Sequence, residues 1–234
     1  MGSVTTAPAT LSATQPATRP TTTVPPGFDA ALTGTVDRLQ LADGRTMPLA
    51  TQRWQATADQ ADQWMLDRCH GPTIDLGCGP GRLVAALHAR GVAALGVDSS
   101  TLAMRHCASR RAPAVRRDVF GPLPGEASWR HVLLADGNIG IGGDPAALLR
   151  RAAALLRPNG TILVELAPGG ALWRGEARLR GSRRDAGPWF PWAVVGPEAV
   201  TRLARRAGLL VTDVLTRRRR CFAELGADRT AVRA

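Results

Sequence analysis

The chain has 234 residues, 44% of them hydrophobic, which suits one sizeable α/β domain with additions and is short for two. No apolar run is long enough to cross a bilayer, and the N-terminus lacks the basic-then-apolar pattern of a signal peptide, so a cytoplasmic protein without a membrane partner is expected. The formal charge of +11 is carried by arginine alone and unevenly, residues 1–100 summing to −1 and residues 101–234 to +12, which marks either an anionic partner or a merely solvated surface.

Residues 1–27 are almost all Thr, Pro, Ala, Ser and Val; without a hydrophobic period they read as a disordered tail. Residues 28–71 read as an N-terminal extension: a strand over 37–41, a turn at Asp43-Gly44, and a helix over 55–69 that turns Ala58, Ala61, Met65 and Leu66 inward. A regular alternation then begins. Strands are expected at 74–76, 92–97, 114–119, 132–135 and 161–166. Between them lie helices, one carrying Leu83, Val84 and Leu87 and ended by Gly91, one capped by Ser99 or Ser100, and one opened by Asp144-Pro145 with Leu148, Ala152, Leu155 and Leu156 inward. Pro158-Asn159-Gly160 is expected to stop that last helix. Residues 172–195 read as an inserted hairpin turning around 182–187, residues 197–207 as a helix ended by Gly208, and 209–215 and 220–225 as two closing strands. Strands alternating with helices predict an α/β domain over 72–234, with a mostly parallel sheet and helices on both faces.

The chemistry concentrates at Ile74-Asp75-Leu76-Gly77-Cys78-Gly79-Pro80-Gly81-Arg82, which follows a strand and opens a helix. Glycines there let the backbone turn sharply and approach a ligand. A dinucleotide fingerprint spaces its third glycine one residue later. Asp75, two residues before the first glycine, would repel a pyrophosphate and suits a ligand bearing positive charge, such as an amino group beside a sulfonium. The four cysteines, Cys69, Cys78, Cys107 and Cys221, are scattered, so neither a disulfide framework nor a metal site is read.

The D-x-G-x-G-x-G spacing after a first strand resembles the signature of class I S-adenosylmethionine-dependent methyltransferases, from about Trp54 to the end, in a chain of high-GC, actinobacterial-type composition. The resemblance implies a Rossmann-like fold whose seven-stranded, mostly parallel sheet ends in an antiparallel closing strand. It implies S-adenosyl-L-methionine as cofactor, held by Asp75, Gly77, Gly79, Gly81, Asp98, Ser99, Asp118 and Val119. Asp98 ends the second strand, where family members bind the ribose hydroxyls; Asp118 ends the third, where they read the adenine amino group.

The fourth strand runs into Asp136-Gly137-Asn138, at the strand ends where ligands of open α/β sheets bind. Asp136 is the candidate catalytic base, or else a cofactor-contacting or loop-shaping acid. Arg53 either pairs with the cofactor carboxylate or is a plain surface arginine. Trp173, Trp189, Phe190 and Trp192 either wall an acceptor pocket or hold the hairpin to the sheet. The reading that follows is methylation of a small-molecule acceptor at oxygen or nitrogen, without specific nucleic-acid binding, because no nucleic-acid module is seen and Arg217 to Arg220 fall at a turn. Its rivals are an RNA or DNA methyltransferase and a non-catalytic cofactor-binding regulator.

Overall fold

The computed structural model describes residues 27–181, 187–217 and 219–227. The expectations for the tail (residues 1–26), the hairpin turn at 182–186, Arg218 and the last seven residues lie outside the described residues.

The chain opens with helix α1 (Gly27–Leu32), the hairpin β1 (Arg38–Leu41) and β2 (Thr46–Pro48), and helices α2 (Thr51–Gln55) and α3 (Gln63–Leu66). The hairpin turns at Asp43-Gly44 as expected, with Asp43 Oδ1 accepting the Arg45 N–H at 3.0 Å. Of the expected helix over 55–69, only the last residue of α2 and the short α3 are helical, with a loop between them. Asp59 Oδ1 accepts from the N–H groups of Ala61 and Asp62 (2.7 and 2.9 Å), and Asp62 Oδ2 from that of Asp59 (2.7 Å). Aspartates that bond the local backbone offer an alternative to helical turns, and here that alternative wins. Ala61, Met65 and Leu66 are nonetheless buried, as the pattern requires.

The body alternates β3 (Thr73–Leu76), α4 (Arg82–Ala89), β4 (Ala94–Asp98), α5 (Thr101–Ser109), β5 (Ala114–Arg116), β6 (Trp129–Leu134), α6 (Pro145–Leu155) and β7 (Leu156–Leu166). The hairpin strands β8 (Leu172–Arg180) and β9 (Phe190–Val195), helix α7 (Pro197–Arg206), and strands β10 (Leu209–Arg217) and β11 (Arg220–Ala227) follow. Seven strands form one sheet in the order β10-β11-β7-β6-β3-β4-β5, parallel from β7 through β5, with β11 antiparallel to β7. The parallel part is the sheet that the alternation of strands and helices predicts, and the Rossmann-like order with an antiparallel closing strand is what the resemblance implies. Side chains alternate across it. Val132 and Leu134 of β6 pack with Leu148, Leu155 and Leu203 of α6 and α7, while Leu133 packs with Met65 and Leu87 of α3 and α4 on the other face. Ser100 caps α5 by accepting the Ala103 N–H, and Asp144 caps α6 by accepting those of Ala146 and Ala147.

Two boundaries differ from expectation. Leu156 opens β7 rather than closing α6, and Pro158-Asn159-Gly160 lies inside β7, where Asn159 has φ 63° and the register against β6 shifts. The third strand stops at Arg116, so Asp118 does not end it but sits in the following turn, its carboxylate accepting the Phe120 N–H at 3.0 Å.

A second sheet, order β2-β1-β8-β9 and antiparallel throughout, joins the N-terminal hairpin to the inserted one. Its apolar side gathers Leu39, Leu41, Ala177, Leu179, Phe190 and Trp192 into a separate core. A bridge between Ile141 and Trp192 ties it to the loop after β6. Among the described residues no helix is long and apolar enough to cross a membrane.

His131 gives this fold a pH dependence. It is buried in β6; its Nε2 accepts the His70 N–H (3.2 Å), which leaves Nδ1 as the donor to Thr161 Oγ1 (2.9 Å). Burial, with Arg130 nearby, pushes its pKa down to about 4. Between its unfolded value of about 6.5 and the folded one, only the unfolded chain takes the proton, so stability from this residue falls as pH falls through that window. Urea unfolding at pH 7 and pH 4.5 is expected to show roughly 2 kcal/mol more loss in the wild type than in His131→Asn. Equal losses in both would assign the pH dependence to other groups. Asp75, whose folded pKa is raised and whose contribution has the opposite sign, is common to both proteins and drops out of the comparison.

Candidate functional site

A cavity of about 500 Å³ lies at the carboxyl ends of β3, β4, β6 and β7, beneath the four-stranded sheet. The turn after β3 forms part of its wall. Gly77 (φ 76°) and Gly79 (φ 51°) are left-handed, and a Cβ on Gly77 would come within 2.7 Å of Asn138 Nδ2. That amide donates to the carbonyls of Leu76 (3.0 Å) and Gly77 (2.8 Å), tying the loop after β6 to the turn.

Of the residues the sequence nominates, Asp75, Gly77, Gly79, Asp98, Ser99, Val119 and Asp136 line the cavity. Gly81 and Asp118 do not. Gly81 lets α4 approach α5, since a Cβ there would meet Cys107 Sγ at 2.8 Å and Ala112 Cβ at 2.9 Å.

Asp75 is 3% exposed, and its Oδ1 has no hydrogen-bond partner. Burial, reinforced by the Asp136 charge and opposed by Arg82, pushes its pKa up to about 7. A buried carboxylate with a free oxygen lacks a donor or cation that a ligand can provide. Asp98 accepts the Ser100 N–H on Oδ1 and the Gly79 N–H on Oδ2, both at 2.9 Å. Desolvation raises its pKa against these backbone bonds. Each carboxylate oxygen keeps accepting capacity for a ligand hydroxyl.

Asp136 sits just beyond β6 with φ 53°. Its Oδ1 accepts from Arg53 Nε at 3.1 Å and from Arg53 Nη2, and its Oδ2 from Arg82 Nη2 at 2.8 Å. The candidate base is therefore engaged by two guanidinium groups. Arg53 also reaches Glu165; it is half-buried in the cavity wall rather than plainly on the surface.

The pairs continue inward. Arg82 also donates to Asp62, and Arg220 donates to Glu165 (2.7 and 2.8 Å), Asp62 (2.8 Å) and Asp59 (3.1 Å). Sequence reasoning missed this network and placed Arg220 with Arg217 at the turn between the closing strands; it is buried at the start of β11. The available signal was Glu165, an acid in the apolar run from Ile162 to Leu166, which demands a buried partner.

The opposite wall is apolar: Phe28, Leu39, Met47, Leu49, Phe190 and Trp192 face the cavity. Trp54 joins them with its indole Nε1 buried and unpartnered. Trp189 is 44% exposed, does not line the cavity, and packs under the Arg178 guanidinium. Trp173 packs against the second-sheet core and is not in the cavity wall.

The sequence matches the family described as "Methyltransferase domain" over residues 50–214. No curated protein matches. Many solved structures share the fold, and three serve as examples. A SAM-dependent methyltransferase from Bacteroides fragilis in complex with S-adenosyl-L-homocysteine superposes with a TM-score of 0.68 at 19% identity, covering 86% of this chain and 92% of that one. The CcbJ methyltransferase from Streptomyces caelestis gives 0.56 at 17% identity, covering 75% and 90%. A 1,6-didemethyltoxoflavin-N1-methyltransferase from Burkholderia thailandensis, with 1,6-didemethyltoxoflavin and S-adenosylhomocysteine bound, gives 0.51 at 19% identity, covering 67% and 71%.

Proposed function

The chain belongs to the methyltransferase-domain family, and on that premise we propose that it methylates a neutral, largely apolar small molecule with S-adenosyl-L-methionine as the donor. The observation that carries this reading is a single cavity with unsatisfied carboxylate capacity on one wall and an aromatic, apolar cover on the other.

The residues present fit the cofactor. Asp75 would take its amino group, Asp98 its ribose hydroxyls, Val119 and Ser99 would border its base and sugar, and the Gly77-to-Gly79 turn would admit its methionine portion. When bound, S-adenosyl-L-methionine supplies a methyl group on a sulfonium, open to displacement by an aligned nucleophile. Residues 28–71 and 172–195 then act together as the acceptor cover, and the domain from residue 72 as the cofactor-binding body. The cover excludes water and presses the acceptor toward the strand ends; the Trp54 N–H offers a hydrogen bond to an acceptor oxygen.

For Asp136 to serve as a base, Arg53 would have to release it. In our reading the ion pairs hold the loop after β6 in place, and the acceptor is an amine or an acidic hydroxyl that needs no strong protein base. A small acceptor is further supported by the use of the arginines within the fold. Arg151 binds Glu126 and two backbone carbonyls, Arg174 the Gly143 carbonyl, and Arg68 both Asp213 and Glu224.

Transfer from labelled S-adenosylmethionine to a panel of small aromatic amines and phenols tests the reading. Trp192→Leu is expected to lower kcat/KM for the acceptor about tenfold or more, since it removes a pocket wall. Trp189→Ala is expected to leave kcat/KM unchanged, and both variants should bind S-adenosylhomocysteine as the wild type does. A reversed ranking of the two tryptophans would move the acceptor site to the exposed hairpin surface. Transfer to RNA or DNA in place of every small acceptor would overturn the substrate class.

A further inference from the structure

We propose that Cys78 and Cys107 are a peroxide-responsive dithiol whose closure to a disulfide shuts the glycine turn of the cavity. The two sulfurs lie 4.0 Å apart. Cys78 stands between Gly77 and Gly79 and lines the cavity, whereas Cys107 belongs to α5 and is 1% exposed. Cys107 Sγ also lies 3.2 Å from the Gly79 carbonyl, so the α5 sulfur is packed directly against the turn. The other two thiols are elsewhere: Cys69 bonds the Met65 carbonyl beside α3, and Cys221 lies in β11. A disulfide needs an S–S distance of about 2.05 Å, so the sulfurs must approach by about 2 Å.

The two sides do not yield equally. α5 is capped by Ser100, which also bonds Asp29 of α1, and Cys107 packs against Val84 and Ala112. The turn is short, glycine-rich and borders open space. It is therefore the turn that moves, and the Gly79 N–H bond to Asp98 lies in its path.

The chemistry balances with a hydroperoxide as oxidant. Cys78 belongs to the cavity wall, so a peroxide entering the cavity meets it before Cys107; its sulfur takes one peroxide oxygen to become a sulfenic acid, and the other oxygen leaves as water. The Cys107 thiolate then attacks the Cys78 sulfur; the S–S bond forms, the S–O bond breaks, and the hydroxyl leaves as a second water with the Cys107 proton. The hydrogen bond with Cys107 and burial push the Cys78 thiol up, so the first oxidation is the slow step; the 4.0 Å approach of the two sulfurs favours the second. A dithiol of this kind in a reducing compartment acts transiently.

The consequence for ligand binding rests on the cofactor reading given above; the disulfide does not. Reduced wild-type protein is treated with hydrogen peroxide, alkylated, digested and examined by mass spectrometry. Calorimetry with S-adenosylhomocysteine and hydrogen exchange of amides 77–81 accompany it. The expected result is a peptide linking Cys78 to Cys107, altered exchange across the turn, and affinity lowered about tenfold, the value of one lost charged hydrogen bond, all restored by dithiothreitol. Cys107→Ser should show no link, its Cys78 stopping at a sulfenic acid that dimedone labels, while Cys69→Ser responds like the wild type. Failure to form the link, or a linked protein whose turn exchanges and binds like the reduced one, overturns the proposal. If reduced wild type does not bind S-adenosylhomocysteine, the cofactor reading fails, and the linked peptide and the exchange of the turn still decide the dithiol.

Discussion

Replacing Arg220 by methionine is expected to lower the unfolding free energy by about 3–5 kcal/mol. The guanidinium is 9% exposed and serves Glu165 through Nε and Nη2, Asp62 through Nη2 and Asp59 through Nη1. Burial alone disfavours its charge, but the hydrogen bond and charge of Glu165, with Asp62 behind them, more than offset that and hold it protonated well above the ordinary arginine value. Methionine matches much of the aliphatic volume and none of the charge. It leaves Glu165, 5% exposed, with only the 3.4 Å approach of Arg53, and Asp62, fully buried, with Arg82 alone of its two arginines. The cost is that of stranding carboxylates rather than of losing a favourable pair. The double substitution Arg220→Met with Glu165→Leu should therefore recover part of the loss, and Arg217→Met on the exposed end of β10 should change stability by no more than about 0.5 kcal/mol. Urea unfolding of the four proteins checks this. An Arg220→Met protein with the wild-type midpoint would mean that water reaches the network and the burial is not effective.

Asp98→Ala is expected to weaken S-adenosylhomocysteine binding by about 1.5–3 kcal/mol, or roughly 10- to 150-fold. Two effects add. The variant lacks the acceptor for ligand hydroxyls, and it frees the N–H groups of Gly79 and Ser100 that now fix the turn and the start of α5. Asp118→Ala serves as the contrast. The resemblance gives Asp118 a place at the cofactor base, but its carboxylate binds the Phe120 N–H and it does not line the cavity. A loss on Asp118→Ala as large as that on Asp98→Ala would show that the turn after β5 reorganises when ligand enters. Equal affinity of Asp98→Ala and wild type would remove Asp98 from the site. Calorimetry on the three proteins separates these outcomes.

The features that could be read from the chain are those whose cause lies within a few residues. Asp75, the three glycines and Asp98 announce a ligand turn because a strand end, a left-handed backbone and a helix start must occur at fixed offsets. The caps Ser100 and Asp144 follow the same local rule, as does the hairpin turn at Asp43-Gly44. The errors arose where a local signal met a competing one. Apolar spacing across 55–69 suggested one helix, and the backbone bonds of Asp59 and Asp62 broke it. Pro158 and Asn159 suggested a stop before the strand, and pairing of Leu156 and then Thr161 with β6 places them inside β7 at a register shift.

The sequence by itself determined the parallel sheet and the glycine turn after its first strand, because residue period and turn chemistry act between chain neighbours. Only the tertiary structure decided what covers that turn and what charges stand behind it. Leu41 pairs with Ala177 across the second sheet, and Asp62 meets Arg220 from 158 residues away. Contacts at such separations impose no period on the chain, so an exposed tryptophan and a pocket tryptophan, or a solvated arginine and a buried one, look alike until the fold brings their partners to them.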